Sequence, residues 1–258
     1  MNNYASKTFI IAILLMSFNL VYSQDKNKEE LRTYYNKMKE LSQSAMKSDK
    51  TIYMDYVIVM APLDKHYTPQ KSSVKAWVNM TQTKFINDHM SVYKDKKEAI
   101  TLLPDQKMIV LTDAVPMDKN ADKTNLFWNS VQDTIFTMST VKQSTEFKSP
   151  AGEPLKKVIL QMTDKGEQLL HVRTAVFTIS EKTHLLKEIQ LNYEPKGKNI
   201  NGVSFEYMDL IINDMQVLDE KEKVFPKDIE KMFFSSGYTM KKEYADYKLI
   251  DKRNIAKK

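Results

Sequence analysis

The sequence predicts an α+β protein built on an antiparallel sheet, and three observations lead to that class. Apolar residues recur every three or four positions in only a few stretches, which indicates few amphipathic helices. From Thr51 onwards the apolar period changes to two, which is the period of a β-strand. The predicted strands follow one another about every ten residues, which leaves no room for the crossover helices that parallel strands need.

The first predicted elements are a helix and a strand. Residues 26–47 carry apolar side chains at helical spacing with Lys and Glu between them. The strand from Thr51 is apolar on both faces, has Asp55 as its only charge and ends at Pro62, so we expect both of its faces to be covered. Further strands are predicted at residues 74–80, 84–86, 90–93, 99–103 and 108–112.

The second half of the chain repeats this order. Residues 122–138 predict a helix that Thr124 or Asn125 can cap. A short helix is predicted at 229–234, and residues 244–250 predict either one more edge strand or a loose tail. Between the two helices, strands are predicted at 157–162, 169–179, 185–193 and 203–215.

The composition excludes several kinds of chemistry. The chain has 258 residues, 39 Lys and Arg against 33 Asp and Glu, four His, five Gly and no Cys. Without Cys there can be no disulfide, no thiolate metal site and no thiol nucleophile. So few glycines leave little scope for phosphate-binding loops. The basic residues are mixed with acidic ones rather than gathered on one face, so we expect no nucleic-acid partner.

Residues 1–23 have the pattern of a secretory signal peptide. Lys7 supplies a positive charge, and the apolar run that follows, residues 9–20, is shorter than the roughly 20 residues that a membrane span needs. Ser23 provides a small residue at the cleavage site, and no Cys follows that could carry a lipid. We therefore predict an exported, soluble protein of the periplasm without a lipid anchor.

The sequence contains no recognisable catalytic motif. It has no Gly-x-Ser-x-Gly elbow, no Ser-x-x-Lys and no pair of His at helical spacing. His171 and Arg173 share one face of a predicted strand, which we interpret as a solvated patch or a structural pair. We predict that the protein is not an enzyme and that it uses no catalytic residue, no metal and no cofactor.

Methionine is abundant, with 16 residues, many of them on predicted strands. Each could be an ordinary core residue, but flexible thioethers also suit surfaces that adapt to variable apolar ligands. A curved sheet with such a lining could bury an acyl chain and gain about 0.8 kcal/mol per CH₂ group. A register shift of one residue would exchange the two faces of any strand. The predicted cavity-lining residues are Met54, Tyr56, Ile58, Trp77, Phe177 and Ile189.

Three stretches carry a resemblance to a known family. Residues 179–189 (ISEKTHLLKEI) predict a strand, a turn and a second strand, and residues 202–207 (GVSFEY) followed by 211–213 (IIN) predict a long closing strand. Residues 224–226 (VFP) then lead into the last helix. These stretches, and the order of helices and strand meanders, resemble the bacterial outer-membrane lipoprotein carriers, the LolA/LolB-like family.

The resemblance implies a curved antiparallel sheet that forms an unclosed half-barrel of roughly eleven strands. The N-terminal helix and additional helices would act as a lid or plug over a cavity for acyl chains. Carriers of this family keep an Arg in that cavity, and this chain offers Arg32, Arg173 and Arg253. The predicted organisation is a signal peptide at 1–23, a lipid-binding domain at 24–236 and a basic tail or extra edge strand at 237–258.

We predict a non-catalytic periplasmic carrier or binding protein for the acyl chains of lipids or lipoproteins. The alternative is a structural or accessory protein of a cell-envelope assembly that uses the same fold to bind a partner protein. The expected partners are a lipid or lipidated protein, with envelope or membrane proteins under the alternative. We expect a monomer.

Overall fold

The computed structural model describes residues 26–41, 50–114, 131, 133–194, 199–200, 203–219 and 224–253. The predicted signal peptide and most of the helix predicted at 122–138 lie outside these residues. Within them, no helix combines the length and the apolar character that crossing a membrane would require.

The protein has the predicted α+β class, with antiparallel strands and few helices. The helices are α1 (26–41), α2 (described at 131 and 133–137), α3 (Asp164–Leu170) and α4 (Glu230–Phe233). The strands are β1 (Thr51–Pro62), β2 (Gln70–Val78), β3 (Thr83–Asn87), β4 (Ser91–Lys94), β5 (Glu98–Leu103), β6 (Met108–Asp113), β7 (Ser139–Lys148), β8 (Pro154–Met162), β9 (Val172–Ser180), β10 (Leu186–Tyr193), β11 (Asn199–Ile200), β12 (Val203–Leu218), β13 (Phe234–Ser236), β14 (Thr239–Met240) and β15 (Lys248–Asp251).

The chain divides into two compact units. Of the described residues, those within 26–38, 62–65 and 131–207 form the first unit, and those within 39–61, 66–114 and 208–253 form the second. The described strands do not close into a barrel, because their pairing order begins at β15 and ends at β7. This confirms the prediction of an unclosed antiparallel sheet. The domain boundaries derived from the sequence stay a prediction.

In the second unit the strands pair in the order β15-β6-β5-β4-β3-β2-β1. In three hairpins of this meander, the turn is stabilised by one side chain that accepts hydrogen bonds from the backbone amides of the residues two and three positions later. Asn79 accepts from Thr81 and Gln82 at 2.9 and 2.7 Å. Asn87 and Asp95 do the same in the next two turns. Such Asx turns fix the loop length, and the loop length fixes the register of the strands.

One face of β5 and β6 forms the core of the second unit. Ile100, Ile109 and Leu111 are each 0% exposed and pack against Phe233 of α4. The short helix predicted at 229–234 is therefore present, and its role is to cover this face. Residues further along the chain extend the same cover, namely Tyr238, Met240, Tyr244, Tyr247 and Leu249.

Residues 238–251 are thus integral to the second unit. Its last strand, β15, pairs parallel to β6, with Lys248 opposite Met108 and Asp251 opposite Leu111. A truncation at Met240 would remove core side chains as well as charge.

In the first unit β7, β8, β9 and β10 pair in sequence order, and helices cover one face of them. Val158 and Leu160 of β8 are 0% exposed on that face, as is Leu31 of α1. Lys156 of β8 is itself buried and donates a hydrogen bond to Glu30 of α1 at 2.6 Å. Burial alone would raise the pKa of Glu30, but the hydrogen bonds from Lys156 and Tyr34 and the lysine charge lower it.

Two elements of the first unit differ from the sequence prediction. Strand β7 was not predicted, because nearly all its side chains are exposed and it lacks apolar alternation. Helix α3 occupies the start of the strand predicted at 169–179, and Thr163 caps it by accepting from the amide of Gly166 at 3.3 Å. A Cβ on Gly166 would lie 2.9 Å from both the Cβ and the backbone oxygen of Met138, which cannot give way as a side-chain end can, so this helical position requires glycine.

Candidate functional site

The register of β1 and β2 decides where four of the predicted lining residues point. Met54 is paired with Ala76, and Tyr53 with Trp77. Directly paired residues of an antiparallel sheet lie on the same face, and alternate residues of one strand share a face. Met54, Tyr56 and Ile58 therefore share one face, and Trp77 lies on the other. The register corrects the prediction that Trp77 belongs to the same lining.

The other two predicted residues lie in the first unit. Phe177 of β9 and Ile189 of β10 are paired directly, so they share a face. Phe177 is only 3% exposed and stacks on Phe136 of α2 with 6.0 Å between the ring centroids. The protein's own helix thus fills the space beside Phe177. As ligand-binding residues, the six remain a prediction.

An apolar surface does cross the second unit, on the face of Met54. The registers from β1 to β6 align six residues, which we call the apolar row: Met54, Ala76, Phe85, Val92, Thr101 and Val110. Neighbouring strands lie about 4.8 Å apart, so the row is about 24 Å long. Five of its members are apolar, and none is charged.

The side chains of the apolar row are only half-buried. Ala76 is 6% exposed, but the other five members are of intermediate exposure. Tyr56 borders the row on the same face, and burial raises the pKa of its hydroxyl, which keeps that side chain neutral. Apart from the hydroxyl of Thr101, the row presents only apolar side chains, a surface chemistry that suits contact with an apolar ligand.

The opposite face is polar and aromatic on β1, β2 and β3, and on β5 and β6 the same face carries the core residues Ile100, Ile109 and Leu111. Trp77 packs against Tyr53 with 5.1 Å between the ring centroids, and the Lys84 ammonium lies 4.6 Å from the Trp77 ring centre. Asp55 accepts a hydrogen bond from Asn213 at 2.9 Å. The charge that interrupts β1 is therefore partnered on this side of the sheet and leaves the apolar row uncharged.

His171 and Arg173 do not converge on a common site. His171 ends α3 in a left-handed conformation, with its Nδ1 2.8 Å from Glu194. Arg173 lies 3.4 Å from Glu167, and the side chains of both His171 and Arg173 are at least half exposed. The described residues contain no group of three or more His, Asp or Glu that could hold a metal ion.

Arg253, one of the three arginines that the sequence offers for a cavity, is largely buried, with 13% of its side chain exposed. Its guanidinium donates hydrogen bonds to Glu98 at 2.8 Å and to Asp251 at 2.6 Å, and it lies 4.0 Å from the ring centre of Tyr238. Burial, followed by the charge of Glu230, raises the pKa of Glu98 in spite of Arg253. The sequence feature that could have indicated this role is the rarity of arginine in a lysine-rich chain. The forked guanidinium makes several hydrogen bonds at once and suits a buried ion pair better than the lysine ammonium does.

The helix α1 carries an open groove of about 350 Å³, lined by Glu30, Thr33, Tyr34, Lys37 and His184. Tyr34 stacks on His184 at 5.6 Å and donates a hydrogen bond to Glu30 at 2.9 Å. Burial and that hydrogen bond raise the pKa of Tyr34 to about 12. With two charged side chains in its lining, this groove is a poorer match for an acyl chain than the apolar row.

No family model and no curated protein matches this chain. Solved structures with similarity to it include an uncharacterized conserved protein from Thermus thermophilus (6% identity, TM-score 0.35, covering 83% of this chain and 99% of that one). A LolA superfamily protein from Nitrosomonas europaea is also similar (9% identity, TM-score 0.27, 72% and 98%). So is the Pseudomonas aeruginosa protein MucB in its complex with MucA (12% identity, TM-score 0.36, 77% and 60%). Similarities this low do not extend the functions of those proteins to this chain.

Proposed function

We propose that this protein is a non-catalytic binding protein or carrier for the acyl chains of lipids or lipidated proteins, exported to the periplasm, and that the apolar row holds the chain. The observation that carries the proposal is the alignment of half-buried, uncharged side chains across six strands. A core that served folding alone would bury these side chains more completely.

The energetics favour a long apolar chain as the ligand. Each CH₂ group that leaves water contributes about 0.8 kcal/mol, so the contribution that offsets the cost of ordering the ligand grows with the length of chain in contact with the row. Met54 and Phe85 supply a flexible and a flat surface, respectively, neither of which demands one ligand shape. The accessory-protein alternative stays a prediction from the sequence, since no single described feature favours it.

Native mass spectrometry of the gently purified, full-length export product tests this proposal. We expect a population that carries mass in the range of a lipid or fatty acid, and saturable binding when a fluorescent fatty acid is added to delipidated protein. Delipidated lysozyme, also small and basic, is a suitable control for non-specific adsorption. Protein that is consistently free of lipid and does not bind the added probe would refute the proposal.

A further inference from the structure

Lys94 stands on the same face of the sheet as the apolar row. It ends β4, two residues after Val92 of the row, and it is paired with Thr83 on one side and with Ala99 on the other. Alternate residues of a strand share a face and lie about 7 Å apart. The lysine side chain therefore begins beside the row, at one of its long edges.

Among the described strands, the register row through Lys94 carries no carboxylate. The register row through Lys94 consists of Ile52, Val78, Thr83, Ala99 and Thr112. Glu98 and Asp113, the nearest acidic residues along β5 and β6, are paired with each other and so lie on the opposite face. Within this register row, an anion beside Lys94 would meet the hydroxyl groups of Thr83 and Thr112 and no acidic side chain.

Lys94 is also unpaired. Its side chain is half-buried, yet its ammonium makes no ion pair or hydrogen bond with any residue that the structure describes. The lysines on the other face of neighbouring strands have partners, since Lys75 lies 3.9 Å from Asp55 and Lys84 covers Trp77. A free cation at the edge of an uncharged apolar surface complements an amphiphile with an anionic head.

We propose that Lys94 binds the anionic headgroup, a carboxylate or a phosphate ester, of a ligand whose acyl chain lies along the apolar row. This inference rests on the proposed function and adds to it the chemical class of the ligand. A neutral amphiphile of equal chain length would use the row but gain nothing from Lys94.

The test measures the affinities of hexadecanoate, hexadecyl phosphate and hexadecanol for the delipidated full-length protein, below the concentration at which the probes aggregate. We expect both anions to bind more tightly than the alcohol. Lys94→Gln should weaken binding of the anions on the order of tenfold and leave that of the alcohol unchanged. Lys94→Arg should retain the preference for anions. Lys96→Gln removes the same charge from the exposed turn next to β4 and should change nothing.

The outcomes separate this inference from the function on which it rests. If all three probes bind equally, or if Lys96→Gln has the same effect as Lys94→Gln, the headgroup assignment is wrong while acyl-chain binding stands. If one of the two anions alone loses affinity in Lys94→Gln, that anion is the headgroup class. If no probe binds, the proposed function and the headgroup assignment fail together.

Discussion

Replacing Phe85 with glutamate is expected to weaken binding of an acyl probe by about a hundredfold. Phe85 lies near the middle of the apolar row and is half-buried, so a carboxylate there keeps part of its hydration in the free protein. A bound chain would strip that hydration, and a desolvated, unpaired carboxylate costs several kcal/mol. A hundredfold loss corresponds to about 2.7 kcal/mol. Titration with a fluorescent fatty acid measures the change.

Ile86→Glu is the matched control for Phe85→Glu. Ile86 is the next residue of β3 and is half-buried like Phe85. It is paired with Lys75 on the opposite face. We expect Ile86→Glu to bind the probe as the unaltered protein does. Thermal unfolding of both variants separates loss of binding from loss of fold. Equal losses of affinity in two folded variants would show that the acyl chain does not lie on the face of the apolar row.

Arg253→Met is expected to lower the free energy of unfolding by about 3 kcal/mol at neutral pH. The side chains of Arg253 and Glu98 are 13% and 4% exposed, so their ion pair is buried. Removing the cation leaves the Glu98 carboxylate buried beside Glu230 without its partner, and breaking such pairs is strongly destabilising. Urea unfolding followed by tryptophan fluorescence measures the loss.

The destabilisation by Arg253→Met should depend on pH in a defined direction. Without Arg253 the folded-state pKa of Glu98 rises further above its usual value of 4.5, so the folded protein then binds the proton more tightly than the unfolded chain. The loss of stability is therefore smallest below about pH 4.5 and grows as the pH rises through the folded-state pKa. Asp251, whose pKa is lowered by the hydrogen bond from Arg253, adds a loss of the same sign.

Lys252→Met controls for the change in charge near the C terminus. Lys252 is exposed and adjacent to Arg253, and its backbone amide, not its side chain, bonds to Leu111. We expect this variant to unfold like the unaltered protein at every pH. A loss of stability by Arg253→Met that stays constant from acidic to neutral pH would contradict the role assigned to the pair with Glu98.

The sequence was sufficient for the class of the fold because its meander is governed by local rules. The change of apolar period at Thr51 marks β1, and Asn79, Asn87 and Asp95 mark the hairpin turns through their own side chains. Strand β7 was not predicted because nearly all of its side chains face solvent, and a strand at the edge of a sheet needs no apolar alternation. Helix α3 was not predicted because it is short and depends on the close approach of Gly166 to the backbone of Met138.

The candidate surface was only partly predictable because it depends on register and on long-range pairing. Choosing Trp77 together with Met54 required the β1–β2 pairing, which no single strand encodes, and the pairing puts them on opposite faces. Arg253 donates a hydrogen bond to Glu98, which lies 155 positions earlier in the chain. No sequence motif connects residues that far apart. The strand predicted at 90–93 stops short of Lys94, and only the pairing of Lys94 with Thr83 and Ala99 places it on the apolar face.

Photo-crosslinking tests the central claim most directly, by showing which surface an acyl chain touches. A fatty acid with a diazirine in its chain, bound to delipidated full-length protein and irradiated, should label residues of the apolar row. Peptide mass spectrometry is expected to find the label on Met54, Phe85 or Val92, with loss of the label when unmodified fatty acid competes. Label confined to the opposite face around Trp77, or to the first unit around Phe177, would contradict the account.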